Sequence, residues 1–343
     1  MTLLTSHNPI RPLPAATASE LMRTFVDQDT DALLVGACLA LLAQREPTAE
    51  ELHSFAQVLL AEAQPFDCGD LAVLDVVGTG GDRASTANLS TLSSLLLAHL
   101  GVPVAKHGNR AATSTCGSGD LMEALGYDLA RDATHLKQDL VERNFAFLFA
   151  PMYHPLLGRL REIRRRLGIP TIFNLLGPLL NPARPAYQVL GVARPTLLEP
   201  MSGALARLGV HRSFVIHGSC AEGNGMDEAS IEGPTRVLEV RDGNVLTLEV
   251  LVPRDLAIAT PPRNALRVAD REEALRVARG CLAGSASADF RPAVADAVAL
   301  QAGLGLLLHR NESLPQLPQV MRECRDVLEN GFIAPLPTQE MTK

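Results

Sequence analysis

Apolar residues recur at helical spacing over the first 65 positions of this 343-residue chain, and strand-length apolar runs take over after that. The early part predicts helices over 18–26, 30–44 and 48–62. Thr30 and Thr48 stand where N-caps belong, and Thr48 with Glu51 forms a capping-box pattern. Residues 1–15, which hold Pro9, Pro12 and Pro14, read as a loose arm. From position 71 the chain alternates. Strands are expected over 71–77, 102–105, 145–150, 187–192 and 213–217, and helices over 92–100, 120–125, 134–142, 156–167 and 195–208. Residues 171–182, rich in proline and glycine, read as a bend between domains. Two further strands, 235–240 and 245–252, flank Asp242-Gly243, a hairpin signal. The tail reads as helices over 271–282, 293–309 and 317–330, the second apolar nearly all round and therefore expected to be buried against the sheet.

Composition narrows the function classes. Apolar residues are 47% of the chain, which excludes a mainly disordered protein, and the length suits two unequal domains. A formal net charge of −7 argues against a general nucleic-acid or membrane binder, so an anionic ligand has to be held by a local cluster. The six cysteines show no CxxC spacing and no metal-ligand pattern, which suits reduced thiols in the cytoplasm. The first twenty residues lack the apolar core of a signal peptide, and the apolar runs elsewhere fall short of a membrane span.

Candidate chemistry gathers between Leu71 and Gly126. Gly78-Thr79-Gly80-Gly81-Asp82 lies between a buried strand and an apolar helix, with Thr86, Asn88, Ser90 and Thr91 at the helix entry. Glycines let backbone approach an anion closely, and a helix N-terminus offers free N–H groups to the same charge. A capped helix after a tight turn would show the same residues, and the pattern is neither GxGxxG nor GxxxxGK[ST]. A second loop then brings Lys106, His107, Asn109 and Arg110, followed by hydroxyls and glycines through Asp120. Such donors suit phosphates and carboxylates. Farther along, Asp227-Glu228 is an adjacent carboxylate pair, either solvated surface or a hard-oxygen site for magnesium beside a pyrophosphate.

DVVGTGGD with TANLST, VAKHGNRAATSTCGSGD, FLFAPMYHP, RRRLGIPTIFNLLGPLLNPARP and GMDEAS, in that order, resemble the anthranilate phosphoribosyltransferase family. The resemblance runs from about residue 18 to 331. It implies an α/β fold: a small all-helical domain (1–66, completed by about 156–185) and a larger α/β domain (67–155 and 186–343) with a central, mostly parallel sheet. The active site would lie in the cleft between them, and the helical domain would form a homodimer interface. Phosphoribosyl pyrophosphate would be held by Gly78, Gly81, Asp82, Thr86, Asn88, Leu89, Ser90, Thr91, Lys106, Asn109, Ser114 and Ser118. Magnesium would be held by Ser90, Asp227 and Glu228. Anthranilate would meet Gly78, His107, Asn109, His154, Arg164, Gly177 and Pro178. Lys106, His107 and Arg164 are the candidate catalytic groups, with His107 a possible acceptor of the released proton. The chain departs from the family pattern at Ala87, at Leu300-Gln301-Ala302, and in a 217–225 loop about three residues longer than usual. Three rivals stand beside this reading: a transferase for another aromatic amine, a nucleoside phosphorylase, and a non-catalytic nucleic-acid-binding relative. Binding of nucleic acid or membrane is not expected.

Overall fold

The computed structural model describes residues 9–82, 86–111, 115–220, 225–259, 261 and 264–337. Three helices open the chain: α1 (Ala15–Val26), α2 (Ala32–Leu42) and α3 (Ala49–Ala61). The capping box at Thr48 is formed, whereas α2 is capped by Asp31 rather than Thr30, because the Asp31 carboxylate accepts the N–H of Leu33. Residues 9–14 are not a loose arm. Arg45 donates to the carbonyls of Pro9 and Arg11, and the buried Glu51 accepts the N–H of Leu13 while pairing with Arg45.

The expected alternation follows as β1 (Leu74–Gly78), α4 (Leu89–His99), β2 (Val104–Gly108), α5 (Ser118–Ala124), α6 (Ala133–Arg143) and β3 (Phe145–Phe149). Next come α7 (Ala150–Tyr153), α8 (Leu157–Leu167), α9 (Phe173–Leu176), β4 (Tyr187–Gly191), α10 (Leu198–Leu208) and β5 (Arg212–Ser219). The expected bend at 171–182 is instead α9 followed by a 3-10 turn at Gly177–Leu179. After the short β6 (Gly225–Met226), β7 (Thr235–Arg241) and β8 (Asn244–Leu251) form the predicted hairpin, with Asp242 at φ +48°. Helices α11 (Arg271–Ala283), α12 (Pro292–His309) and α13 (Leu317–Asn330) complete the order.

The sheet runs β3-β2-β1-β4-β5-β7-β8, parallel through β5 and antiparallel beyond it. Leu74 and Val76 of β1 face a large core that includes Leu92, Leu96 and the α12 residues Val298 and Leu306. The opposite face shares a second core with α1–α3, α8 and α10, in which Leu190 and Val215 meet Phe55, Ile163 and Met201. Helix α12 is 18 residues long and apolar enough to cross a membrane by length, contrary to the expectation from the sequence, but most of it is buried inside the protein. After β1 the chain moves to β2 and β3, and after β4 it moves to β5 on the other side. Gly78 and Gly191, paired at the ends of those two strands, therefore mark the crevice where open α/β sheets bind ligands.

Candidate active site

Asp227 fills that crevice. A Cβ on Gly78 would run into the Asp227 carboxylate, and one on Gly191 into the Asp227 backbone, so both strand ends require the absence of a side chain. The Asp227 Oδ2 accepts the Gly80 N–H at 2.6 Å, and Asp82 shares a hydrogen bond with the same carboxyl. Glu228 accepts the Thr86 hydroxyl at 2.9 Å and the Ser90 N–H, at the start of α4, at 3.2 Å. Burial, reinforced by Asp82, holds the Asp227 and Glu228 carboxyls above the usual carboxylate range. A buried acidic cluster of hard oxygens fits a divalent cation. Among the described residues no group of three or more His, Cys, Asp or Glu side chains is arranged to hold a metal alone, so a cation here would share its coordination with a ligand's oxygens.

Lys106, on β2, is 1% exposed and donates to the Val76 carbonyl at 2.6 Å, with its ammonium 3.5 Å from the Ser90 hydroxyl. Burial lowers its pKa, opposed by the nearby charges of Asp75 and Glu228. The two turn-rich loops are tied together: Asn88, at φ +50°, donates from Nδ2 to the Cys116 carbonyl at 2.9 Å. Asp120 accepts the N–H groups of Ala111 and Gly117, and Ser118 Oγ donates to the Asn109 carbonyl at 3.3 Å.

On the other side of β2 lies a less polar wall. The His107 and His154 rings sit 5.2 Å apart at 66°. His154 is fixed by the Leu180 carbonyl at 2.9 Å, and Gln188 holds the Pro178 carbonyl at 2.8 Å. His107 faces the Gly177 carbonyl, and its Nε2 is buried with no partner. Burial pushes this imidazole down to about 3, with His154 adding to the effect, so it is held in its neutral form. Arg164, half-buried in α8, lies 5.5 Å over the Phe173 ring and reaches Asn174 Oδ1 at 3.5 Å.

Comparison with known proteins bears on this geometry. The family model "Glycosyl transferase family, a/b domain" matches residues 70–333. The chain is 40% identical over 330 residues to the anthranilate phosphoribosyltransferase of Synechococcus sp. (strain CC9902), covering 96% of this chain and 90% of the relative. It belongs to the anthranilate phosphoribosyltransferase family. The enzyme of Nitratidesulfovibrio vulgaris (strain DSM 19637 / Miyazaki F) is 39% identical over 334 residues, covering 96% of this chain and 95% of the relative. The crystal structure of the Thermus thermophilus enzyme superposes with a TM-score of 0.84 at 37% identity, covering 96% and 95% of the two chains. The Saccharomyces cerevisiae enzyme in complex with PRPP and Mg superposes at 0.79 with 25% identity, over 92% and 87%. Membership makes the chain a pentosyltransferase with the α/β fold of that family.

The structure brings Gly78, Asp82, Thr86, Ser90, Lys106, Asp227 and Glu228 to one crevice. Gly81, at φ +85°, makes the turn between Gly80 and Asp82. Leu89 packs its side chain into the large core, so only its backbone can face a ligand, and Thr91 is fully buried with its hydroxyl unpartnered. Asn109 is exposed, and its Oδ1 accepts the neighbouring Arg110 N–H. Ser114 lies outside the described residues, as does 221–224 of the longer loop. Sequence reasoning does not single out Asp75, Asn181, Gln188 or Gln301 as site residues. Asp75 carries a signal, being the one charged residue within the apolar run at 71–77. Gln301 accepts the Ala229 N–H at 3.0 Å from the core side of the carboxylate segment.

Proposed function

We propose that this site transfers the phosphoribosyl group of phosphoribosyl pyrophosphate to the amine of anthranilate, giving N-(5-phosphoribosyl)anthranilate and pyrophosphate, the second step of tryptophan biosynthesis from chorismate. The observation that carries the reading is the buried Asp227–Glu228 pair, set between the two glycine strand ends and the N-terminus of α4, with the Lys106 ammonium beside Ser90. Crowded carboxylates with raised pKa values are poor structural elements and good cation ligands. Family membership supports the same assignment.

The reaction breaks the C1′–O bond to pyrophosphate and forms the C1′–N bond through an oxocarbenium-like state. The leaving pyrophosphate gathers negative charge, and the amine loses one proton. The Gly80-Gly81 turn would let phosphate oxygens approach the backbone closely, the positive end of the α4 dipole would face them, and Lys106 would provide a positive charge near them. Ser118 and Asn109 border the phosphoribosyl side from the second loop. Asp227, Glu228 and Ser90 would hold magnesium, which when bound supplies Lewis-acid stabilisation of the leaving group. On the acceptor side the planar fork of Arg164 suits the anthranilate carboxylate, Asn109 is assigned to the same substrate, and His107, His154, Gly177 and Pro178 would lie against the ring. An aromatic amine carries its lone pair at neutral pH, so the proton is released only after attack, to solvent or to the neutral ring of His107.

The enzyme would work as a homodimer through the helical layer, where α2 presents Leu33, 80% exposed, and Ala37 on one face. The free state of all six cysteines suits a reducing cytoplasm. Loss of anthranilate fluorescence, followed with phosphoribosyl pyrophosphate and magnesium, tests the reading beside an Asp227→Asn/Glu228→Gln double variant. Turnover that collapses in the variant supports it; equal turnover in both removes the carboxylates from the mechanism.

A further inference from the structure

β1 and β2 are neighbours in the sheet, yet they are in register at Leu74↔Val104 alone. Each stays paired with its other neighbour over five residues. Beyond Leu74 and Val104 the two strands part, and side chains bridge the opening where ladder hydrogen bonds would run. Lys106 Nζ donates across it to the Val76 carbonyl at 2.6 Å. Asn181 uses both amide hydrogens, donating to the Ala105 carbonyl at 2.8 Å and to Asp75 Oδ2 at 2.9 Å. The backbone N–H groups of His107 and Val76 face the same carboxylate, while Oδ1 meets no donor at full hydrogen-bond geometry. Asp75 is completely enclosed and Asn181 is 3% exposed.

A valine at position 75 would match its apolar neighbours in 71–77. A buried carboxylate costs several kcal/mol in lost hydration, so its presence is not explained by stability. What it does is mechanical. Asp75 lies on β1, one strand from Lys106 and His107, and Asn181 closes the turn that carries Gly177 and Pro178. Asn181 Oδ1 also accepts the Ala183 N–H at 3.0 Å, so the amide is anchored on every side.

We infer that Asp75 and Asn181 are positioning residues: wedged between β1 and β2, they fix the Lys106–His107 strand end relative to the 177–181 turn. They thereby align the phosphoribosyl side of the site with the acceptor side. The inference deepens the proposed function and rests on it for the identity of the two substrates. In Asp75→Asn, an oxygen can still accept from Asn181, but the new amide N–H group then faces the N–H groups of Val76 and His107. Asn181→Ala removes the tether and leaves the carboxylate.

The test uses the full chain and both variants. Hydrogen exchange read by mass spectrometry should show faster exchange at 106–108 and 177–183 in each variant, with the remaining sheet unchanged. Steady-state kcat should fall by about tenfold to a hundredfold, the usual consequence of misaligned reactants. Calorimetric binding of inorganic pyrophosphate, a probe of the phosphoribosyl side alone, should stay within about threefold, because ground-state contacts there survive. Unchanged exchange at 177–183 overturns the inference whatever the activity, and so does a kcat within threefold of wild type in folded protein. Loss of pyrophosphate binding together with kcat also overturns it, since that outcome is collapse of one half of the site. Should Asp75→Asn fail to fold, Asn181→Ala carries the same readouts. A wild-type protein inactive on anthranilate would count against the proposed function alone, because exchange and pyrophosphate binding still decide the positioning role.

Discussion

Glu228→Gln should make the protein more stable and less active. Glu228 is enclosed, and burial together with Asp82 lifts its carboxyl from 4.5 to about 7. Ionising it in the folded chain is therefore less favourable than in the unfolded chain, by about 1.4 kcal/mol for each pH unit of separation. The direction follows from the raised acid. Stability is intact below about pH 4.5, where both states are protonated, and is lost as pH climbs through 7. Glutamine keeps the two hydrogen bonds, because its carbonyl can accept the Ser90 N–H and the Thr86 hydroxyl can turn to accept from the new amide. Only the charge is removed. Allowing for imperfect repacking, the variant should gain about 1–3 kcal/mol at pH 8 in chelator and nothing near pH 4.5, a rise of several degrees in Tm at the higher pH. Turnover at saturating magnesium should fall at least about tenfold, since one cation ligand is lost. Thermal and urea unfolding at the two pH values, beside steady-state rates, measure both halves. A variant that is less stable than wild type at pH 8, or one that keeps full turnover, would refute the reasoning.

Three further outcomes follow from the geometry. Arg164→Lys keeps the charge but loses the planar fork, so KM for anthranilate should rise about tenfold or more with KM for phosphoribosyl pyrophosphate unchanged, as initial rates against each substrate will show. Gly191→Ala drives a Cβ into the Asp227 backbone; magnesium-dependent turnover should drop by about a hundredfold, and a calorimetric scan should show a lower Tm. On the proposed homodimer reading the wild-type chain should sediment as a dimer and Leu33→Asp, which places a charge on the exposed face of α2, as a monomer, with little change in Tm of the monomeric fold.

The fold is legible where periodicity is strong. Every predicted strand and helix is present, and only one-turn helices such as Ala150–Tyr153 and Phe173–Leu176 are additional, because apolar runs of β-branched residues and an all-apolar α12 leave few alternatives. Local rules settle ends less well: Asp31 displaces Thr30 as a cap, since its carboxylate sits one residue nearer the first free N–H groups. The order of the 9–14 segment escapes a local reading because it comes from Arg45 and Glu51, distant partners that no window of sequence displays. The carboxylate pair and the glycine loop can be read from motif chemistry. Which residues of 88–91 are enclosed cannot: Asn88 starts α4 from the left-handed region, Leu89 packs into the core and Thr91 is fully buried, while Ser90 stays partly exposed. Asp75 is visible as a charge in an apolar strand, but its meaning depends on Asn181, 106 residues away.

The central claim is that anthranilate is the acceptor and phosphoribosyl pyrophosphate the donor at the Asp227–Glu228 crevice. The most direct test is a competition in which the enzyme, with magnesium and phosphoribosyl pyrophosphate, is offered anthranilate together with other aromatic amines, and products are identified by mass. The account predicts N-(5-phosphoribosyl)anthranilate as the main product, with one pyrophosphate released per anthranilate consumed. Preferential ribosylation of another amine, or pyrophosphate release without consumption of any amine, would contradict it.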